Sequence, residues 1–98
     1  MVEKEQVLRF IDEHRDEMVR LWEDLVNRES FSSDKNDVDQ LQDKIKGVLE
    51  ASGAKVRTIV FEKAGSMIIG EVSGGAKPAV IFSGHSDTVF RRGTIKER

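Results

Sequence analysis

The chain contains no cysteine. Disulfide bonds and metal sites with thiolate ligands are therefore excluded, while a reducing compartment is permitted. No stretch approaches the roughly 18 apolar residues that read as a membrane-spanning helix. The N-terminus is charged and lacks the apolar segment of a secretory signal. We therefore expect a cytoplasmic protein.

An excess of charge of one sign is also lacking. Sixteen Lys and Arg residues against eighteen Asp and Glu residues give a net charge of −2. This balance predicts neither a nucleic-acid partner nor a membrane partner. We interpret a group of basic residues near the C-terminus as a solvent-exposed loop: Arg91, Arg92, Lys96 and Arg98. With 38% hydrophobic and 35% charged residues over 98 positions, the composition is that of a globular domain with a thin core.

The first half of the chain predicts two helices. Residues at spacings of three and four form one apolar stripe of a long helix over residues 3–28: Val7, Ile11, His14, Met18, Leu21, Trp22 and Leu25. A lone histidine on such a stripe is more often a satisfied residue at the core edge than a metal ligand, so we expect His14 to be structural. The second helix is predicted to begin after an N-cap at Asn36 and to end at Gly53.

The second half predicts strands over residues 55–62, 67–72 and 79–83, the last opened by Pro78. The links between them are short, as in antiparallel neighbours. The third strand is continuously apolar, which is typical of a strand buried on both faces. The predicted fold class is α/β, with two N-terminal helices packed on a mixed sheet. Because these elements hardly cover both faces of the third strand, we expect more protein to follow.

His85 follows the most apolar segment of the chain, in the sequence GHSDTVF. Ligands gather beyond the carboxyl ends of strands in open α/β sheets. A neutral imidazole binds a divalent metal through one nitrogen, and its other N–H needs an acceptor that fixes the tautomer. Residues i and i+2 of an extended stretch point to the same side. Asp87 is therefore placed to be that acceptor, although a surface His85 and a turn-capping Asp87 fit the same short pattern.

Two alternatives stay open at this point. GHSDT is one residue short of the G-x-S-x-G nucleophile elbow of serine hydrolases of the α/β-hydrolase type, with Ser86 as nucleophile. That motif needs a small residue where Thr88 stands and a helix directly afterwards, and the residues that follow do not predict a helix. The chain could also be a non-catalytic α/β binding module.

GHSDTVF after an apolar strand resembles the first metal-binding motif of the zinc aminoacylase and carboxypeptidase family, which includes acetylornithine deacetylase, succinyl-diaminopimelate desuccinylase and the glutamate carboxypeptidases. The likeness extends over the chain through LVNRESFS at the end of the first helix, the DVDQL helix and FRRGTIKER after the motif. The resemblance implies that residues 1–98 are the N-terminal portion of a metallopeptidase catalytic domain without its lid and dimerisation domain.

The resemblance also implies the chemistry and the partners. His85 would be a zinc ligand and Asp87 the catalytic residue that orients it. The complete site would hold two Zn²⁺ ions, with Co²⁺ or Mn²⁺ as substitutes, and its remaining ligands and general base would lie beyond residue 98. The full-length enzyme would be a homodimeric deacylase or carboxypeptidase that hydrolyses an amide bond of N-acyl amino acids or small peptides. We expect the 98-residue chain alone to be inactive, to bind zinc weakly and to self-associate.

Overall fold

A computed structural model describes residues 3–75 and 79–97. Along the chain it gives helices α1 (Lys4–Glu13), α2 (Arg15–Val26) and α3 (Lys35–Ala51), strands β1 (Lys55–Ile59) and β2 (Met67–Glu71), and a short 3₁₀ helix, η1 (Thr94–Glu97). The mixed α/β class is therefore confirmed. Within the described residues, no helix is both long enough and apolar enough to span a bilayer.

The predicted first helix is two helices that meet at His14. The backbone of His14 leaves the helical region at φ −111° and ψ 12°. Its backbone N–H still donates to the Phe10 carbonyl at 3.1 Å, and its ring Nδ1–H donates to the same oxygen at 2.8 Å. The backbone N–H of His14 also donates to the Ile11 carbonyl at 3.2 Å, so the turn tightens where α1 ends.

The apolar stripe on α1 and α2 does not form a core. Its members Val7, Met18 and Trp22 are exposed, Trp22 by 68%. A helix buries its apolar face only where another element lies over it. Among the described residues, the buried apolar side chains are Val38 and Leu41 of α3. The core therefore lies between α3 and the sheet.

Helix α3 begins earlier than expected because its N-cap is Asp34 and not Asn36. The Asp34 carboxylate accepts the backbone N–H of Asp37 at 3.1 Å, which satisfies a free donor of the first turn. The helix ends where Gly53 follows the C-cap with φ +94°, a left-handed conformation that favours glycine. The predicted stop at Gly53 is thus confirmed.

Strands β1 and β2 form a two-stranded antiparallel sheet, in which Lys55 faces Glu71 and Ile59 faces Met67. Helix α3 packs against both strands. The side chains of Val56 and Thr58 alternate into this contact as half-buried positions, as a strand with one covered face requires. Packing on the sheet is shown for α3, whereas α2 is joined to α3 by an ion pair between Lys44 and Asp24.

Two predictions about the sheet were wrong. Residues 79–83 form no strand, and the described strands make a purely antiparallel sheet rather than a mixed one. A strand exists only where a neighbour completes its hydrogen bonds, and no described segment pairs with residues 79–83. Val80, Ile81 and Phe82 are consequently 78%, 87% and 96% exposed. Pro78, predicted to open this strand, lies outside the described residues.

Candidate metal centre

The loop between α2 and α3 holds the segment that carries His85. The backbone N–H of Thr88 donates to the Ser30 carbonyl at 2.7 Å, and the backbone N–H of Ser32 donates to the Thr88 carbonyl at 2.9 Å. These two bonds surround a single parallel bridge between Phe31 and Thr88. The backbone after the motif is thereby fixed to the start of the helix that builds the core.

The structure brings the His85 ring and Asp87 together. His85 Nδ1 lies 2.8 Å from the main-chain oxygen of Asp87 and 3.3 Å from its carboxylate Oδ1. A carbonyl oxygen only accepts hydrogen bonds, so Nδ1 carries a proton, and in the neutral imidazole Nε2 carries the lone pair. The imidazole is 83% exposed, and Nε2 takes no hydrogen bond within residues 3–75 and 79–97. One bare nitrogen therefore faces outward, as a metal ligand requires.

The carboxylate of Asp87 is held in its charged form. The pKa of Asp87 lies below its usual value, mainly because the Ser32 hydroxyl is a hydrogen-bond donor beside it, with a smaller contribution from the His85 ring, whose Nδ1–H lies close to the carboxylate. The same hydroxyl lies 2.9 Å from the Thr88 carbonyl oxygen, and it can donate to only one of these oxygens at a time. The direction of the shift still holds, because the imidazole acts in the same sense.

Ser86 is bonded to a side chain that is not a base. Its hydroxyl donates to Oε1 of Gln42 at 2.8 Å. The residues after Ser86 form no helix until η1 begins at Thr94. A nucleophile elbow requires both a neighbouring base and an immediate helix. In the described part of the chain the Ser86 hydroxyl is not hydrogen-bonded to a base and no helix follows directly, so this geometry does not favour the serine-hydrolase alternative.

An ion pair between an exposed guanidinium and a buried carboxylate continues the attachment beyond the motif. Asp37 is buried, and Nη1 of Arg92 lies 2.7 and 2.6 Å from its two carboxylate oxygens. The carboxylate raises the pKa of the Arg92 guanidinium above its usual value. Arg91, Arg92 and Lys96 are exposed, as the interpretation of these basic residues as a solvent-exposed loop predicted, but the ion pair of Arg92 with Asp37 was not foreseen; Arg98 lies outside the described residues.

Cavities of about 430 and 480 Å³ lie on either side of the motif. Ile45, His85 and Ser86 line both of them and therefore form the wall between them. The smaller cavity has a largely apolar lining, and its charged lining residues include Arg28, Glu29 and Arg91. A concave site beside a bare imidazole nitrogen is the setting in which small ligands usually bind.

The described residues do not complete a zinc site. They contain no group of three or more His, Cys, Asp or Glu side chains that could hold a metal ion. A catalytic zinc normally takes three protein ligands and a water. His85 and Asp87 fit one corner of such a site: a ligand with its orienting acceptor. His14 lies apart from it, between α1 and α2: its ring stacks on Phe10 with centroids 4.0 Å apart, and it lines neither of the two cavities beside His85.

No family model matches the chain, and no curated protein or solved structure matches it. What bears on function is therefore the motif itself and the geometry around His85.

Proposed function

We propose that these 98 residues are the N-terminal part of a zinc-dependent amidohydrolase or carboxypeptidase that cleaves an amide bond of N-acyl amino acids or small peptides. In this proposal His85 binds a metal through Nε2, and Asp87 holds the ring by accepting from Nδ1. The observation that carries it is the 2.8 Å bond from His85 Nδ1 to Asp87, which leaves Nε2 bare beside two cavities.

The exposed apolar surfaces support the view that the site is completed by further protein. Residues 80–82 are uncovered in the described chain, and so are Val7, Ile11, Met18 and Trp22 of the stripe on α1 and α2. Contiguous apolar surfaces of this kind mark sites where other protein packs. We propose that the remaining metal ligands and the general base lie on that further protein. No catalytic step is therefore assigned to these 98 residues.

The test is a hydrolysis assay on the polypeptide that carries the remaining ligands, with N-acyl amino acids and dipeptides as substrates. A chelator is expected to abolish hydrolysis, and added zinc or cobalt to restore it. His85→Ala is expected to remove activity, while the control His14→Ala keeps it because His14 lines neither cavity beside His85. Hydrolysis that survives chelation, or that survives His85→Ala, would contradict the proposal.

The same assay separates the alternatives. Labelling by a fluorophosphonate that disappears in Ser86→Ala would indicate a serine nucleophile. Binding of an N-acyl amino acid with no hydrolysis and no dependence on metal would indicate a binding module.

A further inference from the structure

Gln42 of α3 is bonded at both ends of its amide. Nε2 donates to the main-chain oxygen of Ser66 at 2.8 Å, and Oε1 accepts from the Ser86 hydroxyl at 2.8 Å. The Ser66 carbonyl only accepts, so the amide nitrogen must face Ser66 and the amide oxygen must face Ser86. The hydroxyl of Ser86 therefore has to be the donor. The donor and acceptor of both hydrogen bonds are thus fixed, and we call the series Ser86–Gln42–Ser66 the relay.

The far end of the relay is well anchored. Ser66 is buried, and its backbone N–H donates to Oδ1 of Asp39 at 2.7 Å. Asp39 and Gln42 stand three residues apart on α3 and thus on the same side of the helix. The peptide groups of Ser66 are held at the nitrogen by one of these side chains and at the oxygen by the other. Gln42 is therefore attached to a fixed point between β1 and β2.

The near end lies where the motif is otherwise least supported. Ser86 separates His85 from Asp87, whose main-chain oxygen accepts the imidazole N–H. After the motif, Thr88 is bonded to Ser30 and Ser32. Before it, residues 79–84 make no hydrogen bond to any other described residue, and the side chains of residues 80–82 are exposed. The Ser86 hydroxyl is thus the first attachment that the chain makes on reaching the motif.

We propose that Gln42 is a positioning residue for His85. By accepting from Ser86 it fixes the backbone between the imidazole and its acceptor, so that Nδ1 stays bonded to Asp87 and Nε2 stays turned outward. The claim that this arrangement prepares His85 to bind a metal rests on the proposed function. The positioning itself is a property of the metal-free protein and is testable without activity.

The test is the tautomer of His85, measured by long-range ¹H–¹⁵N correlation spectra of the metal-free 98-residue protein at a pH where the imidazole is neutral. The native protein is expected to show predominantly Nδ1-protonated His85. Ser86→Ala and Gln42→Leu are each expected to shift His85 toward the tautomer mixture of an unconstrained histidine. The double variant is expected to match the single ones, because both remove the same bond. His14 is the internal control and should not change, since its acceptor is the Phe10 carbonyl.

Two further variants separate positioning from general stability. Ser86→Thr keeps the hydroxyl and is expected to retain the native tautomer. Gln42→Glu keeps an acceptor for Ser86 but loses the donor to Ser66, so it is expected to retain the His85 tautomer even where it lowers stability. An unchanged His85 spectrum in a folded Ser86→Ala protein would overturn the proposal. An equal loss of the Nδ1-protonated His85 tautomer in Ser86→Thr and in Ser86→Ala would also overturn it. Zinc binding plays no part in these spectra, so failure here is distinct from failure of the proposed hydrolase function.

Discussion

Nδ1 of His85 lies closer to the main-chain oxygen of Asp87, at 2.8 Å, than to the carboxylate of the same residue, at 3.3 Å. One residue thus offers two acceptors to one N–H. The main-chain oxygen fixes the tautomer, and the carboxylate adds negative charge beside the ring. These two contributions are separable, because a side-chain substitution changes only the second.

Asp87→Asn is accordingly expected to leave His85 protonated at Nδ1, since the main-chain acceptor is unchanged. The measurement is the ¹⁵N spectrum of the neutral imidazole, with His14 in the same spectrum as the control. If the carboxylate were the acceptor that fixes the ring, the tautomer population would shift in this variant, and the assignment of the main-chain oxygen would be wrong.

Gly65 is required by close contact rather than by its backbone angle. A Cβ atom at this position would lie 2.2 Å from Cγ1 of Val38, a core side chain. We expect Gly65→Ala to lower the free energy of unfolding by about 1–3 kcal/mol, the usual cost of overpacking. Urea denaturation measures this.

Gly47 provides the matched control, because a Cβ there meets nothing within 4 Å and the residue lies inside α3. Gly47→Ala is expected to raise the free energy of unfolding by about 0.5–1 kcal/mol through helix propensity. Equal stability of the two variants would contradict the packing of Val38 against the β1–β2 link.

Asp39 is expected to make stability depend on pH in the acid range. Its pKa lies below the usual value, first because Lys35 bonds to the carboxylate and next because the backbone N–H of Ser66 donates to it. A carboxyl group whose pKa is lowered by folding stabilises the protein at any pH above its pKa in the unfolded chain, which is about 3.9. That stabilisation is lost as the pH falls through the lower pKa that Asp39 has in the folded protein.

Chemical denaturation at a series of pH values from about 6 down to about 2 measures this effect. Asp39→Asn should be less stable than the native protein at neutral pH and should lose less stability on acidification. The control is Asp43→Asn, an exposed carboxylate on the same helix with no hydrogen bond to other described residues. If the free energies of unfolding of Asp39→Asn and the native protein fell in parallel with pH, Asp39 would not be the source of the acid-range pH dependence.

Residues 80–82 are expected to drive self-association. Their side chains are almost fully exposed and have high strand propensity, which favours pairing with another chain. We expect sedimentation velocity to show species larger than a monomer at high protein concentration and Ile81→Lys to reduce them. Val60→Lys is the control, since Val60 is similarly exposed but lies outside this segment. A strictly monomeric native protein at high concentration would contradict the prediction.

Several local sequence signals predicted local structure, although the break at His14 and the N-cap at Asp34 were missed. The apolar period of α3, the stop at Gly53 and the β-branched residues of β1 each act within one element, so the pattern contains the information. His85 and Asp87 lie side by side, as their i, i+2 spacing predicted, but the nearest acceptor is the main-chain oxygen of Asp87 and not its side chain.

Signals that depend on a distant partner failed. The apolar run at residues 79–83 is that of a buried strand, but pairing needs a neighbour that no local pattern supplies. The relay through Gln42 and the ion pair of Asp37 with Arg92 join residues 44 and 55 positions apart. Each of these residues is an ordinary polar side chain in the sequence, so only the fold identifies its partner.

The most direct test of the account is a zinc titration of the 98-residue protein followed through the ¹⁵N signals of its two histidines. We expect His85 Nε2 to respond at lower zinc concentration than either nitrogen of His14, because only His85 has a carboxylate beside its ring. The dissociation constant should be weaker than about 1 μM, since one imidazole leaves most of the coordination shell to water. A response at His85 Nδ1, or equal responses at the two histidines, would contradict the claim that Asp87 holds this imidazole with Nε2 ready for a metal.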